Sequence, residues 1–202
     1  MKLYYLKGAC PLVTQIVLEW MGLPYEAESV ERDALKNPEF LALNPVGSVP
    51  VLIDGDLVLT QTVAILEYLT ELHPDAGLHG ADIVERTEVR RWLNFANSDL
   101  HRTFSILFGA QTYSDDPAIQ KVLIDKTAER LRFLYGVIDK QLEGKDWMTG
   151  RRSIADSYVY VTGLWARVKE LDLSNLQNLQ RFMQRLDADP GVQAALKKQG
   201  LI

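Results

Sequence analysis

Along the first third of the chain, the spacing of apolar residues switches back and forth between strand-like and helix-like periods. Lys2–Leu6 alternates as a strand, and Pro11–Met21 places Val13, Ile16, Val17 and Trp20 on one helical face. Gly22 and Pro24 supply a helix stop. Tyr25–Val30 reads as a second strand and Ala34–Leu43 as an irregular helix. Val51–Ile53 and Leu57–Leu59 form a hairpin about Asp54-Gly55-Asp56, where Asp-Gly suits a tight turn. Gln61–Leu72 then returns to the helical period through Val63, Ile65, Leu66 and Leu69. This β-α-β-α-β-β-α order predicts a mixed sheet with helices on both faces, because parallel neighbours need helical crossovers.

The run His73-Pro74-Asp75-Ala76-Gly77 is rich in breakers and marks a boundary. Beyond it the pattern is helical throughout: Ile83–Phe108, Ala118–Leu142, Ile154–Leu171, Leu176–Leu186 and Gly191–Gln199. The expected organisation is an α/β domain at 1–77 followed by an all-α domain at 84–202. Ser153-Ile154-Ala155-Asp156 has capping-box spacing, with Asp156 reaching back to the Ser153 N–H. Arg152 stands where an apolar staple is common, and the role expected of Ser153 and Asp156 is structural.

Length and charge narrow the function. The 202 residues suffice for one large or two small domains, and 47% hydrophobic content fits a globular protein. A formal net charge of -5 argues against a general nucleic-acid partner. No apolar run approaches the ~20 residues of a membrane helix, and the start at Met1–Leu6 does not read as a signal peptide. The lone cysteine, Cys10, allows no internal disulfide, so a reducing cytoplasm is expected.

Two local features carry chemistry. In Asn44-Pro45-Val46-Gly47-Ser48-Val49-Pro50-Val51-Leu52, a proline interrupts an apolar run and belongs at an edge or bend. A cis Val49–Pro50 bond would turn the Val49 N–H and C=O away from the sheet as an edge for a peptide backbone. Nearby, a helix opens at Gln61-Thr62, and its free N–H donors attract a carboxylate. The pair suits a small acidic peptide. Cys10 precedes Pro11, a favoured first helical residue, so the thiol would sit at a helix start whose dipole lowers its pKa; a buried structural cysteine is the alternative. Val13 rules out a Cys-x-x-Cys pair, Tyr5 reads as core, and His73, His79 and His101 lack metal-ligand spacing, so no metal is expected. Asn94, Asn97 and His101 fall at i, i+3 and i+7 of one helix, with Asp99 slightly round from them.

The Val-Pro turn, the Gln-Thr helix start, the short linker and the all-helical second half with its capping box resemble the cytosolic glutathione transferases over essentially the whole chain. Met1-Lys2-Leu3-Tyr4-Tyr5 leading to Gly8-Ala9-Cys10, together with Trp92-Leu93-Asn94-Phe95, Asp99-Leu100-His101, Phe182-Met183-Gln184-Arg185 and Gly200-Leu201, looks like the bacterial beta class. Gln61-Thr62 is nearer the alpha-class pattern, and Pro11 stands where serine is common. The resemblance implies a thioredoxin-like first domain binding glutathione, an all-helical second domain binding a small apolar electrophile, and a cytoplasmic homodimer. It further implies that Val49 pairs with the cysteinyl backbone and that Gln61 and Thr62 hold the γ-glutamyl carboxylate. Lys36 would reach the glycyl carboxylate, with a solvated lysine as the alternative. Asp99 would help bind the γ-glutamyl ammonium from the neighbouring subunit, and Asn94 and His101 resemble beta-class residues near the thiol. Asn97 reads as part of a polar seam between helices. Phe104, Leu107, Phe108 and Trp165 would line the electrophile pocket or serve as core. Cys10 would hydrogen-bond the glutathione thiol or form a mixed disulfide with it. Thiol-disulfide exchange and a non-catalytic interaction protein are the alternative functions.

Overall fold

The computed structural model describes all residues from Met1 to Ile202. They divide into two compact units, Met1–His79 with Asp187–Ile202, and Gly80–Leu186.

In the first unit, strands β1 (Lys2–Tyr5), β2 (Glu26–Ser29), β3 (Val51–Asp54) and β4 (Leu57–Thr60) form a sheet in the order β2-β1-β3-β4. β1 runs parallel to β2 and antiparallel to β3, and β4 returns antiparallel to β3. Helix α1 (Pro11–Met21) connects β1 to β2, α2 (Pro38–Leu43) lies between β2 and β3, and α3 (Thr62–Leu72) follows β4. This is the mixed sheet expected from the apolar periods, in the thioredoxin-like arrangement that the family resemblance implies. α1 is buried along Pro11–Leu18 and ends at Gly22, whose φ of 66° is the left-handed stop glycine provides without strain. On another part of the sheet, Leu35, Phe40 and Val51 form a cluster with Tyr4, Leu6, Val30, Leu43, Val49 and Ile53 around it. That cluster packs the segment leading into Val49 against the sheet.

The second unit contains α4 (Ile83–Asn94), α5 (Arg102–Phe108), α6 (Pro117–Gln141), α7 (Ile154–Val168) and α8 (Gln177–Asp187). α7 is buried on nearly every face, and its buried polar side chains, Asp156, Ser157 and Thr162, are each hydrogen-bonded within the unit. Asp139 on α6 accepts from the Leu179 N–H at 2.9 Å, so one helix caps the first turn of another.

Two expectations are corrected. The single helix expected over Ile83–Phe108 is interrupted: Phe95–His101 is π-helical between α4 and α5. The domain boundary also moves. The last helix, α9 (Pro190–Lys198), belongs with the first unit, not with an all-helical domain running to 202. Polar anchors explain this. Trp20 Nε1 donates to Asp189 Oδ1 at 2.7 Å, and the same oxygen caps the Gly191 and Val192 N–H groups. A side chain at Gly191 would put its Cβ 2.6 Å from the Trp20 ring, so glycine permits the close approach. Gln199 completes the seam, accepting from the Gly8 N–H at 2.8 Å and donating to Gln15 at 2.5 Å.

Candidate functional site

The first unit brings Cys10, Val49 and Thr62 together. The Val49–Pro50 bond is cis and Pro50 is buried, as the sequence suggested. The loop before it is braced by Asn44, whose side-chain amide donates to the Ser48 carbonyl at 2.6 Å while its oxygen accepts from the Val46 N–H at 3.1 Å. Gly47 has φ 65°, and a Cβ there would meet the Leu35 carbonyl at 3.0 Å. The loop therefore requires both this asparagine and this glycine. Asn44 lies within the stretch singled out from sequence; its bond to the Val46 N–H is an Asx turn of the kind Asn-Pro signals locally.

Cys10 sits immediately before α1 and its thiol donates to the Val49 carbonyl at 3.6 Å. The thiol also hydrogen-bonds with the side chain of Thr62, the buried first residue of α3. Burial pushes the Cys10 thiol up to about 11, and the Thr62 hydrogen bond offsets only part of this. The expectation of a thiol lowered by the helix start is thus corrected. Besides desolvation, the helix-start donors are already engaged: Leu12 N–H bonds to Ala9 and Val13 N–H to Cys10, and Pro11 has none. At neutral pH, Cys10 is a neutral hydrogen-bond donor.

Gln61 precedes α3 with φ 70° and ψ 114°, a backbone conformation disfavoured for any residue but glycine. Its side chain is exposed at the helix start. Lys36 closes a 3-10 turn at Asp33–Lys36 and is also exposed, outside the contacts made by Cys10, Val49 and Thr62.

In the second unit, the π-helical stretch sorts its polar side chains into two groups. Asn94 and Asp99 line an open cavity of about 420 Å³ together with Arg91, Trp92, Phe95 and Val137. Asn94 donates to the Arg90 carbonyl at 2.8 Å, and Asp99 lies 4.0 Å from the Arg130 guanidinium. Asn97 and His101 instead meet at the Tyr158 hydroxyl, which is 2.8 Å from Asn97 Oδ1 and 2.7 Å from His101 Nδ1. The shared face expected for Asn94, Asn97 and His101 is therefore split, because a π turn advances each residue by a smaller angle than an α turn. Burial lowers the His101 pKa, so its imidazole is neutral near pH 7.

The aromatic residues do cluster. The Trp165 ring lies 4.9 Å from His101, 5.6 Å from Phe104 and 6.0 Å from Phe108. Phe104 is fully buried and also meets Tyr135, which makes it core, and Leu107 is buried beside it in sequence. Phe108, at 41% exposure, is the ring of this set open to a ligand. Lys169 Nζ rests 4.7 Å from its centre.

Asp156 makes the reciprocal contacts expected of the capping box. It accepts from the Ser153 N–H at 2.8 Å and from the Ser153 hydroxyl at 2.9 Å, and its other oxygen accepts from the Met148 N–H at 2.8 Å. Burial raises its pKa to about 6 despite these donors. No group of three or more His, Cys, Asp or Glu side chains is disposed to hold a metal ion, and no helix is long and apolar enough to cross a membrane.

Residues 1–71 match the family model for the glutathione S-transferase N-terminal domain. Over the full length of both proteins, the chain is 42% identical to glutathione S-transferase GST-4.5 of Xanthomonas campestris. A sphingomonad glutathione S-transferase solved in complex with glutathione is 33% identical with a TM-score of 0.88, each chain covered completely. A bacterial beta class glutathione S-transferase from Sphingomonas chungbukensis is 32% identical, again with complete coverage of both chains and a TM-score of 0.88. A cis-proline loop beside a helix-start cysteine, on a thioredoxin-like sheet whose whole chain aligns with these enzymes, places this protein in the glutathione S-transferase family.

Proposed function

We propose that this glutathione S-transferase binds glutathione on its first unit and joins the sulfur to a small apolar electrophile. The observation that carries the assignment is the Cys10–Val49–Thr62 cluster, in which a buried thiol already bonds to the backbone carbonyl beside the cis proline. Val49 would offer its backbone to the cysteinyl portion of the tripeptide, a short form of strand addition. Thr62 and the start of α3 would take the γ-glutamyl carboxylate, with Gln61 beside them. Lys36 would meet the glycyl carboxylate. Asn94 and Asp99 would complete glutathione binding from their cavity, Asp99 reaching the ammonium of a glutathione held by a second copy.

The raised pKa of Cys10 favours one of the two roles left open by the sequence. On binding, the single Cys10 proton would turn from the Val49 carbonyl, which then pairs with the tripeptide backbone, to the anionic glutathione sulfur, whereas a mixed disulfide begins with attack by a cysteine thiolate. Catalysis would then come from positioning and from stabilising the glutathione thiolate by fixed donors. His101 would assist from the π-helical stretch, and Phe108 would present apolar surface to the electrophile, with buried Trp165 packed behind it as the wall of that pocket. A homodimer would bury exposed apolar residues such as Ile83 and Val84 on α4 and Phe133 on α6. The lone cysteine supports a reducing, cytoplasmic setting, and detoxification of electrophiles is the role that fits this chemistry.

The test is ionisation of bound glutathione, followed by thiolate ultraviolet absorbance across pH in wild type and Cys10→Ala. The thiolate is expected to form at lower pH in wild type. Identical titration curves, or a stable glutathione adduct on Cys10 detected by mass spectrometry after incubation with glutathione disulfide, would overturn the donor role.

A further inference from the structure

In the second unit, one phenolic hydroxyl joins two side chains of the π-helical stretch. Tyr158, buried on α7, donates to Asn97 Oδ1 at 2.8 Å, and its oxygen lies 2.7 Å from His101 Nδ1. A phenol has one proton and two acceptor lone pairs. With that proton directed to Asn97, only lone pairs remain for His101, so Nδ1 must be the nitrogen that carries hydrogen. Nε2 is left unprotonated.

We infer that Asn97 and Tyr158 are positioning residues that lock His101 in its Nδ1–H tautomer, so that Nε2 can serve only as a hydrogen-bond acceptor. The inference rests on His101 assisting the reacting thiol as proposed above. An acceptor suits an S–H group, because it draws the hydrogen away from sulfur as negative charge grows there. The opposite tautomer would present an N–H and stabilise the product thiolate without helping the thiol ionise.

The surroundings hold the ring in this arrangement. Trp165 packs 4.9 Å from the imidazole centre at an angle of 60°, and the Tyr158 ring lies 5.9 Å away. Asn97 and His101 are four residues apart within the π-helical segment, yet both reach the same hydroxyl. Single-turn π segments are frequent at functional sites. Sequence alone favours a simple polar seam for Asn97, and Tyr158 has no motif of its own. Their role becomes visible only through this three-group contact.

Nuclear magnetic resonance of the full chain labelled with ¹⁵N-histidine reads the tautomer directly, through two-bond proton–nitrogen correlations of the ring. The His101 signals are assigned by their loss in His101→Gln. Wild type is expected to show a protonated Nδ1 and a bare Nε2. In Asn97→Ala, the Tyr158 proton is free to turn toward Nδ1, and the hydrogen should move to Nε2. Asn97→Asp keeps an acceptor oxygen and should restore the wild-type pattern. Tyr158→Phe is a second route to the Nε2–H form if Asn97→Ala fails to fold. The kcat/KM for conjugation should fall about tenfold in Asn97→Ala and recover in Asn97→Asp, a modest share of the ~10²–10⁴ that a positioned acid or base supplies. A wild-type ring protonated on Nε2, or one tautomer shared by wild type, Asn97→Ala and Tyr158→Phe, would overturn the inference. Tautomers that change as expected while kcat/KM stays constant would confirm the lock and remove His101 from the reaction instead.

Discussion

Replacing Asp156 with alanine should destabilise the fold by ~4 kcal/mol near neutral pH. Its two oxygens accept from the Met148 N–H and the Ser153 N–H, each at 2.8 Å in a buried setting. Orphaning a buried donor costs ~1–3 kcal/mol, which gives ~2–6 kcal/mol for the pair. The loss is a large fraction of the ~5–15 kcal/mol that holds a typical domain together. Burial adds a pH signature. The carboxyl ordinarily titrates at 3.8 and is held at about 6 in the fold. The folded state therefore binds the proton more tightly than the unfolded state. This contribution is full below pH ~4 and is lost as pH rises through ~6, a change of ~3 kcal/mol by linkage. The difference between wild type and Asp156→Ala should accordingly be larger at pH 4.5 than at pH 7.5. Urea unfolding at fixed protein concentration, followed by both far-ultraviolet circular dichroism and tryptophan fluorescence, gives the two differences. A loss below ~1 kcal/mol at pH 7.5, in place of the ~2–6 worked above, would refute the reasoning, as would a difference independent of pH.

Two further outcomes follow from the first unit. Gln61→Gly should raise the melting temperature, because relief of a φ of 70° recovers part of the ~1–3 kcal/mol such a conformation costs; differential scanning fluorimetry reads it, and an unchanged or lower temperature would count against strain at this residue. Alkylation of Cys10 by iodoacetamide without glutathione should be slow at pH 7 and accelerate with a midpoint near 11. A midpoint below the ordinary thiol value of 9.0 would show that the helix start outweighs burial.

How much was legible in the sequence differs sharply from residue to residue. Val49–Pro50 and Gln61-Thr62 could be read because proline chemistry and helix starts are local backbone properties, independent of distant partners. Asp156 could be read for the same reason, since its partner Ser153 is three residues away. The strand and helix order of the first unit followed from apolar spacing alone. The affiliation of α9 did not, because it depends on Trp20 meeting Asp189 and on Gly8 and Gln15 meeting Gln199 across most of the chain. Nor did the π-helical stretch, since Phe95–His101 carries no composition that distinguishes it from ordinary helix. The reading of Cys10 failed on a balance of energies: its place before α1 was right, but desolvation exceeded the attraction of a helix start whose N–H groups were already bonded.

Glutathione affinity measured by isothermal titration calorimetry on wild type and Thr62→Val tests the assignment of the binding cluster most directly. Valine keeps the shape of threonine at the buried first residue of α3 and removes only the hydroxyl. A hydrogen bond to a charged group is worth ~1.5–3 kcal/mol, so Kd should rise by roughly tenfold to a hundredfold. Equal affinity in the two proteins would contradict the placement of the γ-glutamyl carboxylate at this helix start.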